Sequence, residues 1–440
     1  MSKNYYITTP IYYPSAKPHM GHAYSSIVSD VIARFKRIDG YNVYFLTGTD
    51  EHGLKIQRAA EDNNMPPIDF CDKISKTFKD LCKILNLSNT DFIRTTESRH
   101  KTSVHQLWKE LEKSGDIYMS KYSGWYSVSD EAFYAENEIE NKEGINISAV
   151  SGSTVEWVEE ESYFFKLSKW QDKLLDHYEK NPNFILPVSR KNEVVSFVKS
   201  GLKDLSVSRK SFSWGINVPS NKEHIIYVWL DALTNYLSAL NYPDTSNTLY
   251  KNFWPADVHI IGKDILRFHA VYWPAFLLAA KIPLPKRVYG HGWILSGEEK
   301  MSKSKGNILD PIDIIKNYGL DPLRYYLIKE VSFGNDGNIS KEKLEACINS
   351  DLANNYGNFC QRVTAFTEKN CNSKIPGNIE FKKQDEKILN NFSNNLSKLK
   401  SYMNEQKLNS YVEFIVNSLF EANKYFNDEE PWKKKMMKKG

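Results

Sequence analysis

Two apolar strand-like runs with one amphipathic helix between them open the chain, and this constrains its fold more than any other feature. Residues 4–9 read as a short β-rich strand and "YNVYFLTG" (41–48) as a second. From Gly21 to Ile38, Ile27, Val31 and Phe35 recur at spacing four, a helical face, and Gly40 ends it. Strands joined by one helix must run parallel with a right-handed crossover, and such sheets take ligands at the carboxyl ends of their strands. Tyr13, His19 and Asp50 fall there. "TDEHGLKIQRAAEDNN" (49–64) starts a further helix, with Thr49 or Asp50 as its expected N-cap.

The rhythm breaks from about Asp116 to Glu223, where short strands, Gly/Ser turns and "YFFKLSKW" suggest an inserted domain. It is expected to resume at "HIIYVWLDA" (224–232), then "VHIIGKDIL" (258–266) and "KRVYGHGW" (286–293). A polar loop, "SGEEKMSKSKGN" (296–307), follows, and from about Ser340 the pattern is helical. There Leu352, Tyr356, Phe359, Val363 and Phe366 form an expected core-facing stripe. At 440 residues the chain is long enough for several domains. It has no apolar run of about 20 residues to cross a membrane and no visible targeting segment. Its five cysteines form no C-x-x-C pair and read as reduced thiols of a cytoplasmic protein. Fifteen Lys/Arg against eleven Asp/Glu beyond Ala346 account for the whole formal net charge of +4. A basic C-terminal region suits a polyanion such as nucleic acid, although a solvated helical surface has the same composition.

Two motifs carry chemistry. His19-Met20-Gly21-His22 stands where a helix begins, and unpaired N–H groups at a helix N-terminus suit phosphate. Gly21 permits close approach of a nucleotide, and two imidazoles can donate to phosphate oxygens as charge develops. A metal would need further ligands at a familiar spacing, and none is found. Two structural histidines are the plainer alternative. The second motif, Lys300-Met301-Ser302-Lys303-Ser304, is a cationic loop able to close on a triphosphate, although such loops are usually solvated surface. It is not a G-x-x-x-x-G-K-[ST] phosphate loop.

Together, about 280 residues apart, these motifs resemble those of class I aminoacyl-tRNA synthetases. "TTPIYYPSAKPHMGHAY", "FLTGTDEHG", "YVWLDALTNY", "IIGKDILRFHAVYWP" and "EKMSKSKGN" look like the methionyl-tRNA synthetase family, and the likeness runs from residue 4 to about 432. It implies a Rossmann-like parallel-sheet catalytic domain in two halves (1–115 and 224–295) split by a connective domain (116–223). A lysine-loop and stem-contact region (296–345) and an α-helical anticodon-binding bundle (346–440) complete it. The implied activity is methionine–tRNA ligation, by way of methionyl-adenylate and pyrophosphate. Another class I synthetase and a synthetase-derived RNA-binding protein are the alternatives. The chain lacks a large editing insertion and keeps both phosphate motifs, which argues against them.

The resemblance places His19, His22, Lys300 and Lys303 in catalysis. ATP falls to His19, Gly21, His22, Lys263, Asp264, Lys300, Ser302, Lys303 and Ser304. Methionine falls to Ile11, Tyr13, Asp50, Arg209, Trp229, Ala232, Tyr236, Ile261 and His269, with Asp50 facing the ammonium and aromatic walls suiting a thioether. The anticodon falls to Asn358, Arg362 and Trp432. ATP with Mg²⁺ and tRNA(Met), including the initiator, are the implied cofactor and partner of a monomer. Many relatives carry a C-x-x-C zinc knuckle where "GWYSVSDEAFY" stands; Ser127 and Asp130 occupy those places, so no structural zinc is expected. Relatives usually continue beyond "KKKMMKKG", so the helical region is expected to be short.

Overall fold

A computed structural model describes residues 3–130, 132–142, 144–296, 299–300, 310–375, 377 and 380–434. The chain divides into two compact units, Met1–His291 and Gly292–Gly440.

The first unit is built on a six-stranded sheet. Edge to edge, its strands are Asp91–Arg94, Tyr41–Thr49, Lys3–Tyr12, Val258–Gly262, Val288–His291 and Ile185–Leu186. Every neighbouring pair is parallel. Both faces are covered, which explains the continuous apolar runs: Tyr6, Ile7, Phe45, Leu46, Val258, Ile260 and Ile261 are all fully buried. Strand order reverses between Lys3–Tyr12 and Val258–Gly262, and a crevice for ligands opens at such a switch point, outside the carboxyl ends. The strands Tyr41–Thr49 and Asp91–Arg94 touch so closely that a Cβ on Gly48 would stand 2.1 Å from the Ile93 carbonyl oxygen.

The first helix spans Met20–Ile38. Its deepest side runs through Ile27, Val28 and Ile32, while Val31 and Phe35 of the expected stripe are half-buried. The next helix begins later than expected. It spans Leu54–Asp62 with Gly53 as its N-cap at φ 103°, a left-handed position that favours glycine. Thr49 ends a strand, so neither Thr49 nor Asp50 caps this helix.

Within 116–223 the chain first builds an antiparallel sheet in the order Leu205–Ser206, Glu156–Phe165, Ile117–Ser127, Ala132–Tyr134. At the end of the long strand, the Asp130 carboxylate joins two turns. It accepts from the hydroxyls of Tyr134 (2.9 Å), Ser151 (2.5 Å) and Ser153 (2.9 Å), while the Asp130 N–H donates to Ser127 Oγ (3.3 Å). The same segment then returns to the parallel sheet, since Ile185–Leu186 pairs with Val288–Tyr289. "HIIYVWLDA" does not resume that sheet. Its first residues end the antiparallel strand Asn221–Ile226, and the helix Val228–Leu233 follows. An apolar run of this length is compatible with strand or helix, and packing into the core around Trp229, Leu230 and Leu233 decides for helix here.

In the second unit, the strands Glu299–Lys300, Ile294–Ser296 and Gly337–Ile339 form a small sheet in that order, followed by helices. The expected stripe fails at Tyr356, which is 53% exposed, whereas Asp351 and Asn355 are buried. The cause is local: Ile348–Gly357 is π-helical. Its i→i+5 bonding adds residues per turn, so an i/i+4 reading rotates off the core face.

Candidate active site

The switch-point crevice gathers the first histidine motif. His19 is the N-cap of the helix Met20–Ile38, and its Nδ1 accepts from the Gly21 N–H at 3.1 Å. His22 reciprocates, its Nδ1 accepting from the His19 N–H at 3.1 Å. A ring nitrogen that accepts carries no proton, so both imidazoles are neutral Nε2–H tautomers. The rings lie 3.8 Å apart, and His22 packs against Tyr12 and Phe78 at 4.8 and 5.2 Å. Burial, with His19 and Lys55 adding to it, holds the pKa of His22 well below the usual histidine range. Gly21 leaves room for the His19 ring: a Cβ there would stand 2.9 Å from His19 Cε1, and the ring would have to shift. Across the crevice, Ser25 bonds His291 Nε2 at 2.8 Å, tying the helix to the end of Val288–His291. Lys263 and Asp264 open a 3₁₀ turn directly after Val258–Gly262.

An aromatic cluster packs against Ile11 and Tyr13, around the end of the first strand. Tyr13 meets Trp229 edge-on at 6.5 Å, and Trp229 stacks on Phe268 at 3.7 Å, nearly parallel. His269 stands 6.4 Å from Trp229, and Tyr236 donates its hydroxyl to His269 Nε2 at 2.7 Å. His269 Nδ1–H donates to the Ile265 carbonyl at 3.0 Å, which fixes the tautomer. Ile11 and Tyr13 pack against the same core as Ile261, Trp229 and Tyr236, and Ala232 is buried. Arg209 is placed differently. Its guanidinium lies over Phe133 and Tyr227, both at 4.5 Å, and donates to Ser206 Oγ and the Ser208 carbonyl. It therefore borders the antiparallel sheet, and none of these contacts belongs to the aromatic cluster.

Asp50 directly follows the second strand and is buried. The residues after it are anchored to several distant elements. The Asp50 N–H donates to the Tyr12 carbonyl at 2.9 Å. The Glu51 carboxylate receives Arg94, Ser75, Thr49 and Thr96, and its carbonyl accepts from the Trp214 indole at 2.5 Å. His52 bonds Asp231, and Gly53 N–H donates to the Trp214 carbonyl at 3.0 Å. Sequence reasoning missed Phe268, Glu51, His52 and Asp231. A signal existed for the last: Asp231 is the one charge within the apolar run 225–233.

Residues 5–146 and 138–364 match the family "tRNA synthetases class I (M)". A methionine–tRNA ligase of Rickettsia felis is 54% identical over 436 residues, which cover 98% of this chain and 84% of that protein. The chain belongs to the methionine–tRNA ligase family. Within that family, the Mycobacterium tuberculosis methionyl-tRNA synthetase in complex with methionyl-adenylate is similar at a TM-score of 0.97 and 47% identity, covering 99% of this chain and 86% of that one. The free-state structure of the M. tuberculosis enzyme is similar at 0.89 and 44% identity, covering 100% and 84%.

The second unit holds the other residues that the methionyl-tRNA synthetase motifs single out. Arg362, on the helix Asn358–Cys371, donates to Asn423 Oδ1 at 2.7 Å and Asn427 Oδ1 at 3.2 Å, both on the helix Leu408–Asp428. Its guanidinium lies 5.1 Å from the Phe426 ring and 6.0 Å from the Trp432 ring. Arg362 and Trp432 thus converge, and Asn358, one turn earlier, is exposed. Lys300 pairs with Leu295 through its backbone. Ser302, Lys303 and Ser304 lie outside the described residues.

Three histidines of the first unit, His22, His269 and His259 (which bonds Thr8 at 2.9 Å), predict an acid limit. Burial brings His269 down to about 4 and holds His259 and His22 well below the usual range. The folded state resists protonation while the unfolded chain binds protons near pH 6.5. Stability is therefore full above that pH and falls as pH drops toward 4, by about 3 kcal/mol for His269 alone. Thermal unfolding from pH 8 to 4.5 checks this, and His269→Gln is expected to flatten the fall.

Proposed function

We propose that the chain activates methionine with ATP, giving methionyl-adenylate and pyrophosphate, and then transfers the methionyl group to tRNA(Met), the initiator included. The observations that carry this reading are two Nε2–H imidazoles at the helix N-terminus after the first strand, a buried carboxylate after the second, and the aromatic cluster of Tyr13, Trp229, Tyr236 and His269. In the first step the methionine carboxylate attacks the α-phosphorus and pyrophosphate leaves with the electron pair. In the second, the terminal ribose hydroxyl of the tRNA attacks the methionyl carbonyl, loses its proton and displaces AMP. The protein supplies position and charge stabilisation, with no covalent nucleophile required of it.

Tautomer assignment supports donation from Nε2 of His19 and His22 to phosphate oxygens. Gly21, Lys263, Asp264, Lys300, Ser302, Lys303 and Ser304 complete the proposed nucleotide site. Tyr13, Trp229, Tyr236 and His269 are proposed to enclose the thioether, with Ile11, Ala232 and Ile261 behind them, and Asp50 to take the ammonium. Arg209 borders the antiparallel sheet and is better read as support for that wall. ATP would arrive as its Mg²⁺ complex. Among the described residues no group of three or more His, Cys, Asp or Glu gathers to hold an ion, so the metal would ride on the phosphates. The chain is taken as a cytoplasmic monomer, and light scattering checks the second point. No helix among the described residues is long and apolar enough to cross a membrane.

ATP–pyrophosphate exchange with each amino acid tests the reading. Methionine is expected to drive exchange far above the others, and exchange driven by isoleucine or cysteine instead overturns it. The convergence of Arg362 and Trp432 adds a prediction for the tRNA step. Arg362→Ala is expected to lower kcat/KM for charging about tenfold or more, with near-normal exchange, since truncating a base-stacking or base-reading group removes about 1–3 kcal/mol. Equal loss in both assays assigns Arg362 to folding.

A further inference from the structure

We propose that Asp231 is a positioning residue for methionine: with His52 and His100 it forms a buried clasp joining the segment that carries Asp50 to the helix that carries Trp229. The inference deepens the reading above and rests on it, because those two elements are the proposed ammonium and thioether walls.

Asp231 lies on the helix Val228–Leu233, between Trp229 and Ala232, and is fully buried. Each carboxylate oxygen is used by a different element. Oδ2 accepts from His52 Nδ1 at 2.7 Å, two residues beyond Asp50, and Oδ1 accepts from His100 Nε2 at 2.7 Å, on the helix Ser98–Lys113. His100 Nδ1 meets the Ser238 hydroxyl at 3.0 Å, and that hydroxyl lies 2.9 Å from the Thr234 carbonyl. His100 is thus held at both ring nitrogens. Burial alone would raise the Asp231 pKa, yet the two imidazoles bring it down to about 2. His52 is held from its other side by Trp214, 5.6 Å between rings.

This geometry does more than fill a core. A buried apolar residue at 231 could pack the helix but could not set its register against the strand end. Two short bonds to one rigid carboxylate fix both the rotation of the Trp229 helix and the path of residues 50–53. Glu51 anchors that path toward Arg94 and Thr96, and His52 anchors it toward Trp229. Loosening the clasp moves one wall of the amino-acid pocket relative to the other, and the crevice residues His19 and His22 belong to neither wall. A misplacement of about 1 Å can cost on the order of 10²-fold in turnover or capture.

The test uses ATP–pyrophosphate exchange, with active enzyme counted by burst titration of bound adenylate. Asp231→Asn keeps the shape, but its amide nitrogen cannot accept from a second imidazole. The KM for methionine is expected to rise about tenfold or more while the KM for ATP stays within about twofold. His52→Ala is expected to raise the methionine KM in the same way. His52→Asn, which keeps a donor nitrogen near the place of Nδ1, is expected to restore it. Should Asp231→Asn fail to fold, the His52 pair decides. Loss of titratable sites or of thermal stability with an unchanged methionine KM overturns the proposal, as does an equal rise for both substrates. Absence of methionine-dependent exchange in the unmodified protein would instead sink the functional reading.

Discussion

Lys303→Ala is expected to slow methionyl-adenylate formation about 10²–10³-fold, the usual loss when one donor to a developing anion is removed from a closed site. Pyrophosphate leaves with growing negative charge, and the two imidazoles proposed as its donors carry no net charge. Lys303 in "KMSKS", together with Lys263, is the proposed source of positive charge. The flanks of its loop are built firmly. Lys300 lies in a strand paired with Ile294–Ser296, and Asp310 caps the helix Pro311–Tyr318 through a 2.7 Å bond from the Ile312 N–H. Single-turnover formation of adenylate is the measurement. The KM for methionine should barely move, and an unchanged rate would remove Lys303 from the mechanism.

Asp50→Asn should be comparably severe, through the other substrate. Loss of the carboxylate leaves the methionine ammonium in a buried site without its counter-charge, a change of about 3–5 kcal/mol when one partner of a buried pair is removed. That corresponds to about 10²–10⁴-fold in kcat/KM for methionine. The structure makes the experiment clean. Asp50 is not the N-cap of the helix that follows, because Gly53 is. Asparagine at 50 should therefore leave that cap intact. A large fall in melting temperature with a normal methionine KM would assign Asp50 to folding.

The strands Lys3–Tyr12 and Tyr41–Thr49 and the helix Met20–Ile38 were legible because each depends on neighbours in the chain: apolar runs, a four-residue period and a terminating glycine. Other features were not legible for definite reasons. The helix after Asp50 starts four residues late because Glu51, His52 and Gly53 are bonded to Arg94, Asp231 and Trp214, and these partners outweigh capping propensity. The expected stripe breaks at Tyr356 because π-helical bonding at Ile348–Gly357 cannot be told from an α-helix by apolar spacing. The run at 224–232 fits a strand as well as a helix, because periodicity does not separate a short buried helix from a strand.

For the site, local sequence determined which residue types stand at the strand ends: two histidines around a glycine at a helix start, an aspartate after the second strand, and aromatics in the later runs. Those choices follow from backbone position and from the chemistry of phosphate and ammonium, both readable along the chain. Only the tertiary structure decided which ring nitrogens of His19 and His22 accept and which are left to donate. Folding likewise placed Arg209 against Phe133 and Tyr227, and gave Asp231 two partners 179 and 131 residues away. Such pairings come from the packing of distant elements, and hydrogen-bond direction is settled when both partners are in place.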